Sequence, residues 1–157
     1  MKKHIIFFIV VIMAGCESFV SYQQIINPVT LLDNIEVNVE HSSGALYELK
    51  VHNNSDKQIQ LLWDESTYVS TKGNASRLIR GQTRRIHSGQ SQPAAPIPPK
   101  ASLNEFFVPE SFASTDYPVW VNPQPGNPSN PANIYFMFQI GDEKVTWHGQ
   151  VKFVKLQ

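Results

Sequence analysis

The chain of 157 residues has a single cysteine, Cys16, which excludes an intrachain disulfide and a cysteine-cage zinc site. It has no excess of either charge, with 13 Lys and Arg against 13 Asp and Glu. The basic surplus that neutralises phosphates is therefore missing, and no nucleic-acid partner is expected. Charged residues make up only 17% of the chain, too few for the high-charge class of disordered segments. No apolar run reaches the roughly 18 residues that a membrane-spanning helix needs. Past the first residues, no window sustains an amphipathic helical stripe with a cap, and no internal repeat occurs.

Chemistry-bearing patterns are equally scarce. G-x-S-x-G does not occur; its nearest approach, Ser88-Gly89-Gln90-Ser91, lies in a Pro-rich stretch without a strand-to-helix context. His41, His52, His87 and His148 form neither H-x-H nor H-x-x-x-H, so no metal site and no cofactor are predicted. Asp64 and Glu65 are adjacent after Trp63 and read as a solvated turn, not as a catalytic carboxylate pair. These readings together predict a protein that is not an enzyme.

What is present begins at the N-terminus. Lys2, Lys3 and His4 precede an unbroken apolar run at residues 5–13 (IIFFIVVIM), followed by Ala14, Gly15 and Cys16. This is the order of a secretory signal: basic start, apolar centre, small residues at the cut. Nine residues of helix span roughly 14 Å, about half the hydrocarbon core, which argues against a permanent span.

The tetrad Met13-Ala14-Gly15-Cys16 resembles the lipobox of bacterial lipoproteins, with Met13 where Leu is usual. The resemblance covers about the first 18 residues. It implies cleavage before Cys16, acylation of that thiol with diacylglyceryl and palmitate-like chains, and attachment to a cell-envelope membrane. Two or more acyl chains give stable anchoring where one gives only marginal binding. Glu17 is not the Asp that commonly retains such proteins at the inner membrane, so the family's sorting logic favours the outer membrane, facing the periplasm. Removing residues 1–15 takes away Lys2 and Lys3 and leaves eleven basic residues against thirteen acidic.

The expected organisation is a signal peptide over residues 1–15, a lipidated N-terminus and tether over 16–33, and one β-domain over 34–157. Pro28 and the polar Ser18, Ser21, Gln23 and Gln24 suggest the tether. From Ile35 the apolar period is two. Strands are predicted at 35–40, 46–52, 58–63, 67–70, 103–108, 134–140 and 145–156, the last with a bulge near Gly149. Residues 77–86 read as strand, kink, strand. The stretch 88–100 (SGQSQPAAPIPPK) holds four prolines and can be only a surface connection or an edge. Short strands with Pro- and Gly-rich turns predict an all-β, immunoglobulin-like antiparallel β-sandwich, with a small β-barrel as the alternative.

Two features remain as candidate binding elements. All four arginines, Arg77, Arg80, Arg84 and Arg85, fall within nine residues. Such a cluster suits an anionic envelope partner, or else it is solvated and paired on a hairpin. Trp120, between prolines, suits an exposed contact. The remaining strand aromatics read as core. The expected function is a membrane-anchored envelope lipoprotein, a non-enzymatic binding or accessory module contacting an envelope protein or polymer. An exclusion or inhibitor lipoprotein encoded by a phage or plasmid is the second reading, and a periplasmic hydrolase with a dispersed site the third.

Overall fold

The computed structural model describes residues 22–43, 46–81, 89–112 and 131–155. They form nine antiparallel strands: β1 Tyr22–Pro28, β2 Ile35–Ser43, β3 Leu46–Asn53, β4 Ile59–Val69, β5 Ala75–Arg80, β6 Ala95–Ile97, β7 Ser102–Pro109, β8 Ala132–Ile140 and β9 Glu143–Lys155. A single 3-10 turn, Glu110–Phe112, follows β7, and there is no α-helix among the described residues.

The hydrogen-bonded path runs β1-β9-β8-β4-β5-β7-β3-β2, with β6 on the flank of β4. The first half of β5 pairs with β4 and the second half with β7, so this one strand crosses between two facing sheets. The result is a sandwich nearly closed into a barrel. Leaving out β1 and β6, the order β2-β3-β7-β5 and β9-β8-β4 reproduces the ABED and CFG order of a constant-type immunoglobulin domain.

In antibody domains a tryptophan on the third strand packs on an inter-sheet disulfide. Here that strand is β4 and its Trp63 is fully buried, but no cysteine pair exists. Rings take the place of the bridge. Trp63 meets Phe136 at 6.1 Å and Phe107 at 6.3 Å, Phe107 stacks on Tyr47 at 5.3 Å, and Phe136 continues to Trp147 at 5.8 Å. Each such pair contributes about 0.5–1.5 kcal/mol beyond its buried area. Together they tie β3, β4, β7, β8 and β9 through one core.

Several expectations need correction. Residues 22–28, expected in the tether, are β1, in unbroken register with β9 from Tyr22↔Lys155 to Pro28↔Gly149. Gln24 of β1 points inward and accepts a hydrogen bond from the buried Tyr47 hydroxyl at 2.7 Å. Without β1 that phenol would have lost this partner, at a cost of about 1–3 kcal/mol. The expected bulge near Gly149 is also missing, since the β8–β9 pairing runs unshifted through Ile134↔Gly149. Gly149 is glycine for a different reason: the Trp147 indole folds across it, and a Cβ there would lie 2.4 Å from Cη2 of that ring.

The irregularity sits in β4 instead. The predicted strands 58–63 and 67–70 are one strand with a register shift between Leu62 and Thr67. Asp64 and Glu65 thus belong to a bulged strand and not to a turn. Ser66 fills the gap: its hydroxyl donates to the Leu62 carbonyl at 2.8 Å and accepts from the Met137 N–H at 3.2 Å. The reading of 77–86 as strand, kink, strand agrees with the structure in its first half, where β5 spans Ala75–Arg80; residues 82–88 lie outside the described set. Pro-rich 88–100 does supply an edge, β6, with Ala95 and Ile97 inward and Pro96 outward.

Candidate functional site

β5 carries the two described arginines, and its crossing between sheets decides where they point. Arg77 lies opposite Thr67 of β4. Its guanidinium donates to Oδ1 of Asp64 at 2.6 Å and to the Gln90 carbonyl at 2.9 Å. Asp64 also accepts from the Ser91 hydroxyl and from the Gln92 N–H. The Ser91 hydrogen bond first, with the Gln92 N–H and Arg77 behind it, holds the Asp64 carboxyl below its ordinary value against a desolvation that raises it. Such a carboxylate is a poor proton acceptor. The Asp64–Ser91 pair is a structural clasp closing the segment that returns at residue 89 onto β4.

Arg80 lies opposite Phe107, an inward position. It forms an ion pair with Glu105, itself opposite the core residue Leu49. The two side chains remain 31% and 20% exposed, so the pair seals the slot between the sheets and does not sit in the dry centre. The Arg80 guanidinium carbon stands 5.9 Å from the Trp63 ring centroid, within cation–π range. Gln92 completes this edge. Its side-chain amide donates to the Leu78 carbonyl at 2.7 Å and accepts from the Arg80 N–H at 2.9 Å, imitating a neighbouring strand for β5.

The four arginines therefore do not act as one described surface. Arg77 and Arg80 are engaged by Asp64 and Glu105, while Arg84 and Arg85 lie outside the described residues, as do Cys16 and Trp120. The 113–130 segment that contains Trp120 leaves from Phe112 and returns at Pro131. Phe112 packs edge-on against Tyr68, whose hydroxyl burial pushes up to about 12.

The described histidines are separate. His52 meets the Ser102 hydroxyl at 2.8 Å, His41 packs on Tyr47, and His148 stacks on Tyr135 at 4.5 Å with its Nε2 2.8 Å from Asn133 Oδ1. Among the described residues no group of three or more His, Cys, Asp or Glu could hold a metal ion, and no helix is long and apolar enough to cross a membrane.

One feature escaped the sequence reading. The connection between β1 and β2 forms an open groove of about 280 Å³, lined by Leu31, Leu32, Asn34, Ile35, Val37 and Trp147. Leu31 is 83% exposed, the most exposed of the large apolar side chains described. The adjacent leucines after Pro28, an odd pair for a polar tether, were the available signal. Phe106, 44% exposed on the outer face of β7, departs from the core reading of the strand aromatics. Comparisons with protein-family models, with curated proteins and with solved structures give no match.

Proposed function

We propose that this chain is a membrane-anchored envelope lipoprotein, held through acylated Cys16 at the outer membrane and facing the periplasm, where it works as a non-enzymatic binding or accessory module. The observation that carries the reading is Met13-Ala14-Gly15-Cys16 closing a nine-residue apolar run, with the chain's sole thiol at the processing position.

The use of polar groups in the fold supports a binder over an enzyme. Asp64, Arg77, Arg80, Glu105 and Gln92 spend their hydrogen bonds on holding β4, β5, β7 and the 89–92 return together. The exposed groups left at the ends of the sandwich, Leu31 above all, suit contact and not proton transfer.

Growing the native host with an alkyne fatty acid tests the anchor. The protein is expected to take up the label and to lose it in the Cys16→Ser variant. Equal labelling of the Ser variant would end the proposal.

A further inference from the structure

The proposed anchoring, combined with the position of β1, sets how the domain stands on its membrane. Strand β1 begins at Tyr22, so only residues 17–21 separate it from Cys16. Even fully extended, the six steps from Cys16 to Tyr22 cover at most about 20 Å. The domain body is longer than that leash, since nine-residue β8 alone runs about 30 Å.

The registers define two ends of that body. Tyr22 pairs with Lys155, Ala132 with Val151, Asn133 with Val69, and Ser43 with Leu46. The start of β1, the β4–β5 turn bearing Lys72 and the 3-10 turn bearing Glu110 therefore share one end. The β8–β9 turn at Asp142, the β3–β4 turn at Asp56 and the Leu31 groove share the other. Charge differs in the same sense. Among the described residues, Asp33, Asp56 and Asp142 outnumber Lys57 and Lys100 in the far turns, whereas Lys72 balances Glu110 in the near ones. An anionic phospholipid surface repels the first set and not the second.

We infer that the end of the sandwich carrying Tyr22 and Lys72 docks against the phospholipid surface, and that the acidic end with the Leu31 groove faces away from it. This rests on the Cys16 anchor, so the test reads the two separately. The full chain is purified from membranes of a host that lipidates it and placed in vesicles of phosphatidylethanolamine and phosphatidylglycerol with an acceptor dye on a fraction of the headgroups. With Cys16 acylated, Lys72→Cys or Asp142→Cys supplies one reactive thiol for a donor dye on an exposed turn.

Energy transfer to the bilayer is expected to be several-fold stronger from position 72 than from position 142. A Gly/Ser spacer of about ten residues inserted after Ser21 is expected to shrink the difference by lengthening the leash. Equal or stronger transfer from position 142 in a protein whose mass shows acylated Cys16 overturns the orientation alone. A difference that the spacer leaves untouched overturns the leash as its cause. A bare thiol at Cys16 in protein from the native host overturns the anchor and the orientation with it.

Discussion

Asn53, at the end of β3, is fully buried, and its side chain holds the far end of the sandwich together. Its amide nitrogen donates to the carbonyls of Lys57 at 2.8 Å, Ile97 at 3.1 Å and Pro98 at 3.0 Å. Its oxygen accepts from the Ser55 N–H at 3.0 Å and from the Ser55 hydroxyl at 2.6 Å. One side chain thus ties the β3–β4 turn to the β6–β7 turn. The Ser55 hydroxyl also stands 2.9 Å from the Lys57 carbonyl, so its one proton can turn to that acceptor if Asn53 is lost.

Asn53→Ala leaves the Ile97 carbonyl short of this donor, at about 1–3 kcal/mol, while the Pro98 carbonyl keeps the Ala101 N–H at 3.2 Å, and it adds a small cavity. A loss of about 2–4 kcal/mol is expected, a large share of the 5–15 kcal/mol typical of a domain. Asn53→Asp separates hydrogen bonding from volume. It keeps the shape but turns a second carboxylate oxygen toward three carbonyls, so it should cost at least as much at pH 7 and recover in part when acid protonates it. Urea unfolding of the purified mature chain, followed by tryptophan emission, gives both values. A drop in midpoint at unchanged slope is the expected form. An Asn53→Asp protein as stable as the parent at pH 7 would refute the reasoning, because volume alone would then account for the site.

Three other outcomes are expected. Gly149→Ala should lose about 1–3 kcal/mol through its clash with the Trp147 ring, and Trp147→Phe in the same chain should make the added methyl cheaper; additive losses in a double-mutant cycle would count against the contact. Burial holds His148 below its ordinary value of 6.5, so the unfolded chain takes up this proton first. Its contribution is complete above about pH 6.5 and is lost as pH falls from there through the folded value; His148→Gln should flatten that part of the stability profile, and an unchanged profile would contradict it. Arg80→Gln should cost about 1–3 kcal/mol, since it strands the inward-facing Glu105, whereas Arg77→Gln, at a more exposed pair, should cost under about 1 kcal/mol; equal losses in urea titrations would show that the inward position of Arg80 does not matter.

Much of the β-structure was legible from local pattern. Alternation at Ile35, Val37 and Val39 and from Leu46 to His52 gave β2 and β3, and the last hairpin stood out around Gly141-Asp142. Strand β1 did not, because its stabilisation is non-local: its partner is β9, more than 120 residues away, and its buried Gln24 reads as a surface residue until Tyr47 is set beside it. Gly149 misled for the same kind of reason. A glycine in a strand signals either a bulge or a close approach, and only the Trp147 ring chooses between them. Of the candidate site, the clustering of the arginines in sequence was legible, but not that Arg77 and Arg80 lie on different faces of a crossing strand.

The sequence by itself determined the all-β class, the edge role of the Pro-rich stretch and the Cys16 anchor expectation, since each follows from residue type and spacing along the chain. Tertiary structure decided what no local pattern encodes: that β1 belongs to the domain, that rings stand where a disulfide would, and that Arg80 turns inward over Trp63. These depend on which strands become neighbours, and neighbours are chosen by burial summed over the whole chain.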